Sequence, residues 1–249
     1  MADDQRTLTI VEHLAELRKR ITVSLAALVV GVVVAFIFQG FIFDILMRPL
    51  HGTKVTSITT FGPAEPFMVA LKVAIYAGLL LALPVIMWEI WAYIMPALYE
   101  NEKKAILPYV AMTTGLFLFG VVFGYYLVLP IGLKWLLGYG GDIFNQQLRA
   151  EDYIGFVTLF LLAFGVVFEM PVFILILAAL RIVNAKMLRK QRRIAVVVIA
   201  VVAMVATPSQ DPVSMILMMV PLFVLYEGSI ILTSMMEKRR ARRKELSPA

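Results

Sequence analysis

The carboxylate of Glu169 stands alone in an apolar run from Ile154 to Leu180 that holds no other ionisable residue. Hydrocarbon makes such a group costly, so an acid kept there marks a proton carrier, a hydrogen-bond donor to a neighbouring helix or a holder of water. Other chemistry is sparse. The sequence has no phosphate-binding glycine loop, no H-E-x-x-H zinc helix and no G-x-S-x-G nucleophile elbow. With zero cysteines, thiolate metal sites, disulfides and a cysteine nucleophile are excluded. The two histidines, His13 and His51, fall on opposite sides of the first apolar segment. We therefore expect no catalytic residues, no metal and no cofactor.

The elements that must position Glu169 are transmembrane helices. Hydrophobic residues make up 61% of the 249-residue chain against 16% charged, and mean hydropathy is +0.88, far from the soluble average. The apolar segments run roughly Ile21–Phe38, Phe67–Trp88, Ala105–Leu133, Ile154–Leu180, Ile194–Thr207 and Val213–Met236. A crossing takes about 20 helical residues. The fifth segment reaches only about 21 Å at about 1.5 Å per residue, and the apolar stretch after Asp211 is equally short before Glu227. The expected fold is an all-α polytopic membrane protein of six transmembrane helices in a concave, kinked bundle whose last two spans are short. Pro84, Pro130, Pro171 and Pro221 supply the kinks. No cleavable leader is expected, because a charged stretch ending Arg18, Lys19, Arg20 precedes the first apolar run.

Lysine and arginine counts orient the bundle. With six spans, both termini share the side that carries most of the basic residues, while Arg48, Lys54, Lys134 and Arg149 face the other way. Both termini are placed in the cytoplasm. The net charge of +6 is a topology signal here, and no nucleic acid is expected. The chain is read as one membrane domain over 1–249: a cytoplasmic amphipathic helix at 1–20, the bundle at 21–236 and a basic cytoplasmic tail at 237–249. Leu8, Val11, Leu14, Leu17 and Ile21 recur at helical spacing in the first part, behind a Thr9/Glu12 capping box. Glu16 lies four residues before Arg20, which gives an intrahelical ion pair, and Glu102 is a first-turn acid of the third span. Lys72 should lay its stem along apolar surface near the outer face. Phe41 to Leu50, apolar but carrying Asp44 and Arg48, should lie along the membrane interface.

Three separated motifs then carry a resemblance. His13-Leu14-Ala15-Glu16-Leu17-Arg18-Lys19-Arg20, Pro96-Ala97-Leu98-Tyr99-Glu100-Asn101-Glu102-Lys103-Lys104 and Phe164-Gly165-Val166-Val167-Phe168-Glu169-Met170-Pro171 are followed by Thr207-Pro208 and Asp211-Pro212. Together they resemble the TatC family, the multi-span receptor subunits of the twin-arginine protein translocase. The resemblance covers almost the whole chain.

That resemblance implies a receptor in the cell (inner) membrane that captures twin-arginine signal peptides. With TatA/TatB-type single-span subunits it would let folded proteins cross, and self-association and lipid contact are expected besides. By the same carry-over, Glu16 and Glu102 meet the arginine pair, Arg18, Arg20 and Tyr93 shape the binding surface, Pro49 lies in the first outer loop and Asp211 in the last outer turn. Guanidinium is planar and always charged, so a carboxylate can hold it bidentately where lysine offers a point charge. Glu169 and Glu89 are the intramembrane polar groups. Two positions depart from the family pattern: Glu89 stands where some members have glutamine, and Met215 where many do. Glu89 could add charge to the receptor face or reach headgroups. The alternative reading is a proton-coupled small-solute transporter in which Glu169 carries the proton.

Overall fold

The computed structural model describes residues 10–53, 55, 57–98, 106–139, 147–207 and 211–245. Glu102 and most of its motif lie outside them. Ten helices are described: α1 (Ile10–Ile37), α2 (Gln39–Met47), α3 (Glu65–Leu98), α4 (Ile106–Phe123), α5 (Leu129–Gly138), α6 (Ala150–Phe168), α7 (Met170–Ala179), α8 (Ala185–Lys190), α9 (Arg192–Ala206) and α10 (Pro212–Glu245). The bundle has a proximal end, where α1 begins and α3 finishes, and a distal end, where α2 sits and α3 and α6 begin.

Among the described residues, five stretches are long and apolar enough to cross a membrane: Leu14–Ile37, Glu65–Ile94, Leu107–Gly138, Ala150–Ala179 and Pro212–Arg239. Their outward faces carry exposed Val, Ile, Leu and Phe, as a lipid solvent demands, and the core centres on α6, with α3, α5, α9 and α10 packed around it. Phe160, Phe164, Leu129, Met218 and Leu222 are almost wholly buried there.

Two of the spans are composite, each at a proline. The third runs α4, a π-helical turn at Gly124–Val128, then α5 with Pro130 in its first turn. Proline cannot donate to the preceding turn, and the wider π-turn accommodates the missing bond. The fourth breaks at Glu169, which closes α6 and opens α7, with Pro171 in the first turn of α7. Pro84 and Pro221 lie inside helices that continue past them.

The carboxy-terminal hairpin corrects one expectation. α9 is short, at 15 residues, but the helix after Asp211 is not: α10 runs for 34 residues to Glu245. Glu227 does not end the membrane-compatible stretch, because Arg192 at the start of α9 donates to its carboxylate at 2.7 Å and compensates the charge. Beyond it, buried Ile230 and Thr233 continue the core-facing stripe. A second difference is small: Ile58–Thr59 and Leu148–Arg149 form a two-residue parallel strand pair at the distal end, where only helices and loops were expected.

α7 ends in a Schellman motif. Ile182 N–H donates to the Leu177 carbonyl at 2.9 Å and Arg181 N–H to that of Ala178 at 3.1 Å, with Arg181 at φ 61°. Glycine is the usual residue in that left-handed position.

Candidate functional site: an acid-lined guanidinium clamp and a buried carboxylate

α1 packs chiefly on α3, antiparallel, and the crossing is set by two glycines. A Cβ on Gly78 would lie 2.5 Å from the Val32 nitrogen, and one on Gly31 2.5 Å from the Gly78 carbonyl oxygen, so backbone meets backbone there. Eleven residues separate Arg20 from Gly31 and eleven separate Gly78 from Glu89, about 16 Å along each helix. Equal run-lengths from a common crossing bring the two charges to one level at the proximal end.

There Arg20 is held by both helices. Its Nε and Nη2 donate to the Glu16 carboxylate oxygen Oε1 at 3.1 and 2.5 Å, and its Nη1 donates to Glu89 Oε2 at 3.0 Å. All three side chains are partly shielded, at 22% exposure for Arg20, 31% for Glu16 and 16% for Glu89. The expected Glu16–Arg20 pair is present, and Glu89 joins it instead of reaching outward from the bundle. Two carboxylates against one guanidinium leave this cluster net negative amid a basic segment. Arg18 is exposed, and Tyr93 sits half-buried one turn beyond Glu89 on α3. The structure thus unites Glu16, Arg20 and Glu89, and keeps Tyr93 on the same helix end.

Glu169 is 6% exposed. Its backbone closes α6 through a bond from its N–H to the Val166 carbonyl, and its own carbonyl accepts from Val172 N–H at 2.9 Å, so the side chain is placed by the helix break itself. Among the described residues, its Oε1 has no hydrogen-bond partner, nor has the buried Thr114 Oγ1 on the facing helix α4. One turn beyond Thr114, the Phe117 ring occupies the space that a side chain on Gly165 would need. An apolar wall with two unanswered oxygens suits a water or a donor from a transmembrane partner.

At the distal end lies a network that sequence reasoning missed. Glu65, with a side chain 4% exposed, accepts from Phe61 N–H at 2.8 Å, Arg149 Nε at 3.0 Å and Glu151 N–H at 3.4 Å. Arg149 also pairs with Glu151 at 3.1 Å, and Lys72 donates to Glu151 at 3.2 Å. The Glu65 carboxylate holds the Arg149 guanidinium proton more firmly than usual. Lys72 therefore has an ionic partner where the sequence suggested apolar surface alone. Beside this network, Tyr125 and Tyr153 hydroxyls donate to the Ile45 and Leu46 carbonyls at 2.7 Å each, pinning α2. Pro49 is half-buried in the short 3-10 turn Arg48–Gly52 that follows, beside wholly buried Leu50. Asp211 caps α10, accepting from Ser214 N–H at 2.8 Å. Among the described residues no cluster of three or more His, Asp or Glu side chains could hold a metal ion.

Residues 12–221 match the family model described as Sec-independent protein translocase protein (TatC). The chain belongs to the TatC family. A TatC protein of Carboxydothermus hydrogenoformans is 37% identical over 236 residues, covering 95% of this chain and 97% of its own. That of Aquifex aeolicus is 35% identical over 241 residues, covering 96% and 98%. A crystal structure of the twin-arginine translocase receptor TatC matches with a TM-score of 0.78 at 35% identity, over 90% of this chain and 99% of that one. TatC proteins are translocase components, not a catalytic family, and this chain is a membrane protein of the Tat pathway.

Proposed function

We propose that this TatC chain is the receptor that captures twin-arginine signal peptides at its proximal, cytoplasmic face and supports export of folded proteins with TatA/TatB-type single-span subunits. One observation carries the reading: Glu16 and Glu89, from two different helices, already converge on a guanidinium at 2.5 to 3.1 Å, so this end of the bundle is built to hold arginine. Guanidinium takes such multiple bonds where ammonium cannot. Glu102, Arg18 and Tyr93 complete the recognition surface, and the apolar part of the leader enters the concave face that contains Glu169.

The same proposal includes six crossings, with α9 as a short fifth, both termini in the cytoplasm, an amphipathic segment over 1–20, the bundle over 21–236 and a basic tail over 237–249. At 15 residues α9 reaches about 22 Å, short of about 30 Å of hydrocarbon, so the bilayer thins beside it. Pro49 and Asp211 order the outer loops. Self-association and contact of the basic tail with anionic lipid belong to the same picture.

Photocrosslinking tests the proposal. A twin-arginine leader should crosslink to probes at positions 16 and 102 through its arginine region and to probes lining the Glu169 wall through its apolar region. Crosslinks independent of the arginine pair would overturn the recognition half.

A further inference from the structure

Arg20 fills a place that, on the proposed function, an incoming arginine must take. It spends two of its donors on one oxygen of Glu16 and a third on Glu89, at 3.1, 2.5 and 3.0 Å. Glu16 and Arg20 share one face of α1, four residues apart, whereas Glu89 comes from α3 and is fixed in register by the Gly31/Gly78 crossing. The cluster carries two negative charges and one positive, so it can accept a second cation without becoming net positive.

We propose that Arg20 is a built-in surrogate for a signal-peptide arginine, occupying Glu16 in the resting protein and moving fully onto Glu89 when the peptide's guanidinium arrives. The claim rests on the receptor reading above and deepens it. Displacement needs little motion, because Arg20 Nη1 already bonds Glu89 and only the Glu16 bonds are exchanged. No charge is stranded: before the exchange the two carboxylates share one guanidinium, and after it each carboxylate holds its own. An unpaired buried carboxylate would cost far more.

The arrangement also sets specificity. A peptide lysine must evict a guanidinium that donates twice to the same carboxylate, and an ammonium lacks the fork geometry to replace those bonds. Discrimination between arginine and lysine then arises from competition with Arg20 as well as from direct contact.

The test uses the full-length protein in detergent micelles, with fluorescent leader peptides carrying Arg-Arg or Lys-Lys and the variants Arg20→Gln, Glu89→Gln and both together. The expected result is shifts of opposite sign. Arg20→Gln binds the Arg-Arg peptide at least threefold more tightly and reduces the preference for Arg-Arg over Lys-Lys at least threefold. Glu89→Gln, which removes the receiving carboxylate, weakens Arg-Arg binding at least threefold. In the double variant the Glu89→Gln loss disappears, because no Arg20 remains to be moved. Should Arg20→Gln fail to fold, Arg20→Lys serves in its place and gives a smaller shift of the same sign. Shifts of the same sign in the two single variants, or no shift in either, would mark the cluster as structural and overturn the inference. A wild-type protein that does not distinguish the peptides would instead overturn the receptor reading itself.

Discussion

Replacing Gly78 by alanine isolates the α1–α3 crossing, on which the alignment of Arg20 with Glu89 depends. The added Cβ would sit 2.5 Å from the Val32 nitrogen, 2.6 Å from its Cα and 2.8 Å from the Gly31 carbonyl carbon. All three are backbone atoms, so no side chain can turn away. Reaching an ordinary contact of about 3.4 Å requires the helices to part by about 1 Å, and overpacking of that kind costs about 1–3 kcal/mol. α1 has little else to lean on, since its contacts are overwhelmingly with α3. At about 2–4 °C per kcal/mol for a chain of this size, the midpoint of thermal unfolding in detergent should fall by roughly 2–12 °C. Gly115→Ala is the matched control: Gly115 lies inside α4 with nothing within 4 Å of the new Cβ. There alanine should be neutral or stabilising by about 0.5–1 kcal/mol, through helix propensity. If Gly78→Ala were as harmless as Gly115→Ala, the backbone-to-backbone crossing would be wrong, and with it the register that joins Glu89 to Arg20.

Three further outcomes are expected. Glu65→Ala should lower the unfolding midpoint more than Glu65→Gln, because glutamine still accepts from Phe61 N–H, and combining Glu65→Gln with Arg149→Ala should be less than additive; additive losses would deny the distal network. Arg181→Gly should raise the midpoint by about 2 °C, relieving a left-handed residue at about 1 kcal/mol, and an unchanged or lower value would contradict the Schellman assignment. Glu169→Gln should leave export of a twin-arginine passenger largely intact while Glu169→Leu impairs it, measured as the periplasmic fraction of a reporter; equal tolerance of both would discard a polar role for that position.

What could be read from the sequence follows from what is local along the chain. The Glu16–Arg20 pair lies one helical turn apart, so spacing alone placed it, and the break at Glu169 was foreshadowed by Pro171 two residues later. The apolar runs set where the helices lie. Glu89 as the second partner of Arg20 was hidden because cross-helix register depends on where two glycines let backbones touch; Gly31 and Gly78, each eleven residues from its charge, were the signal. The distal network was hidden for the same reason, joining Glu65, Lys72, Arg149 and Glu151 across two spans. The length of α10 is not legible in the sequence, because a charge inside an apolar run reads as its end. Arg192, thirty-five positions earlier, cancels that charge only once α9 and α10 fold against each other.

Arginine recognition by these carboxylates is tested most directly by equilibrium binding of twin-arginine and twin-lysine leader peptides to the wild-type protein and to the Glu16→Ala, Glu102→Ala double variant. The wild type should bind the arginine peptide at least tenfold more tightly, and the double variant should bind both peptides weakly and about equally. An arginine preference that survives loss of both carboxylates would contradict it.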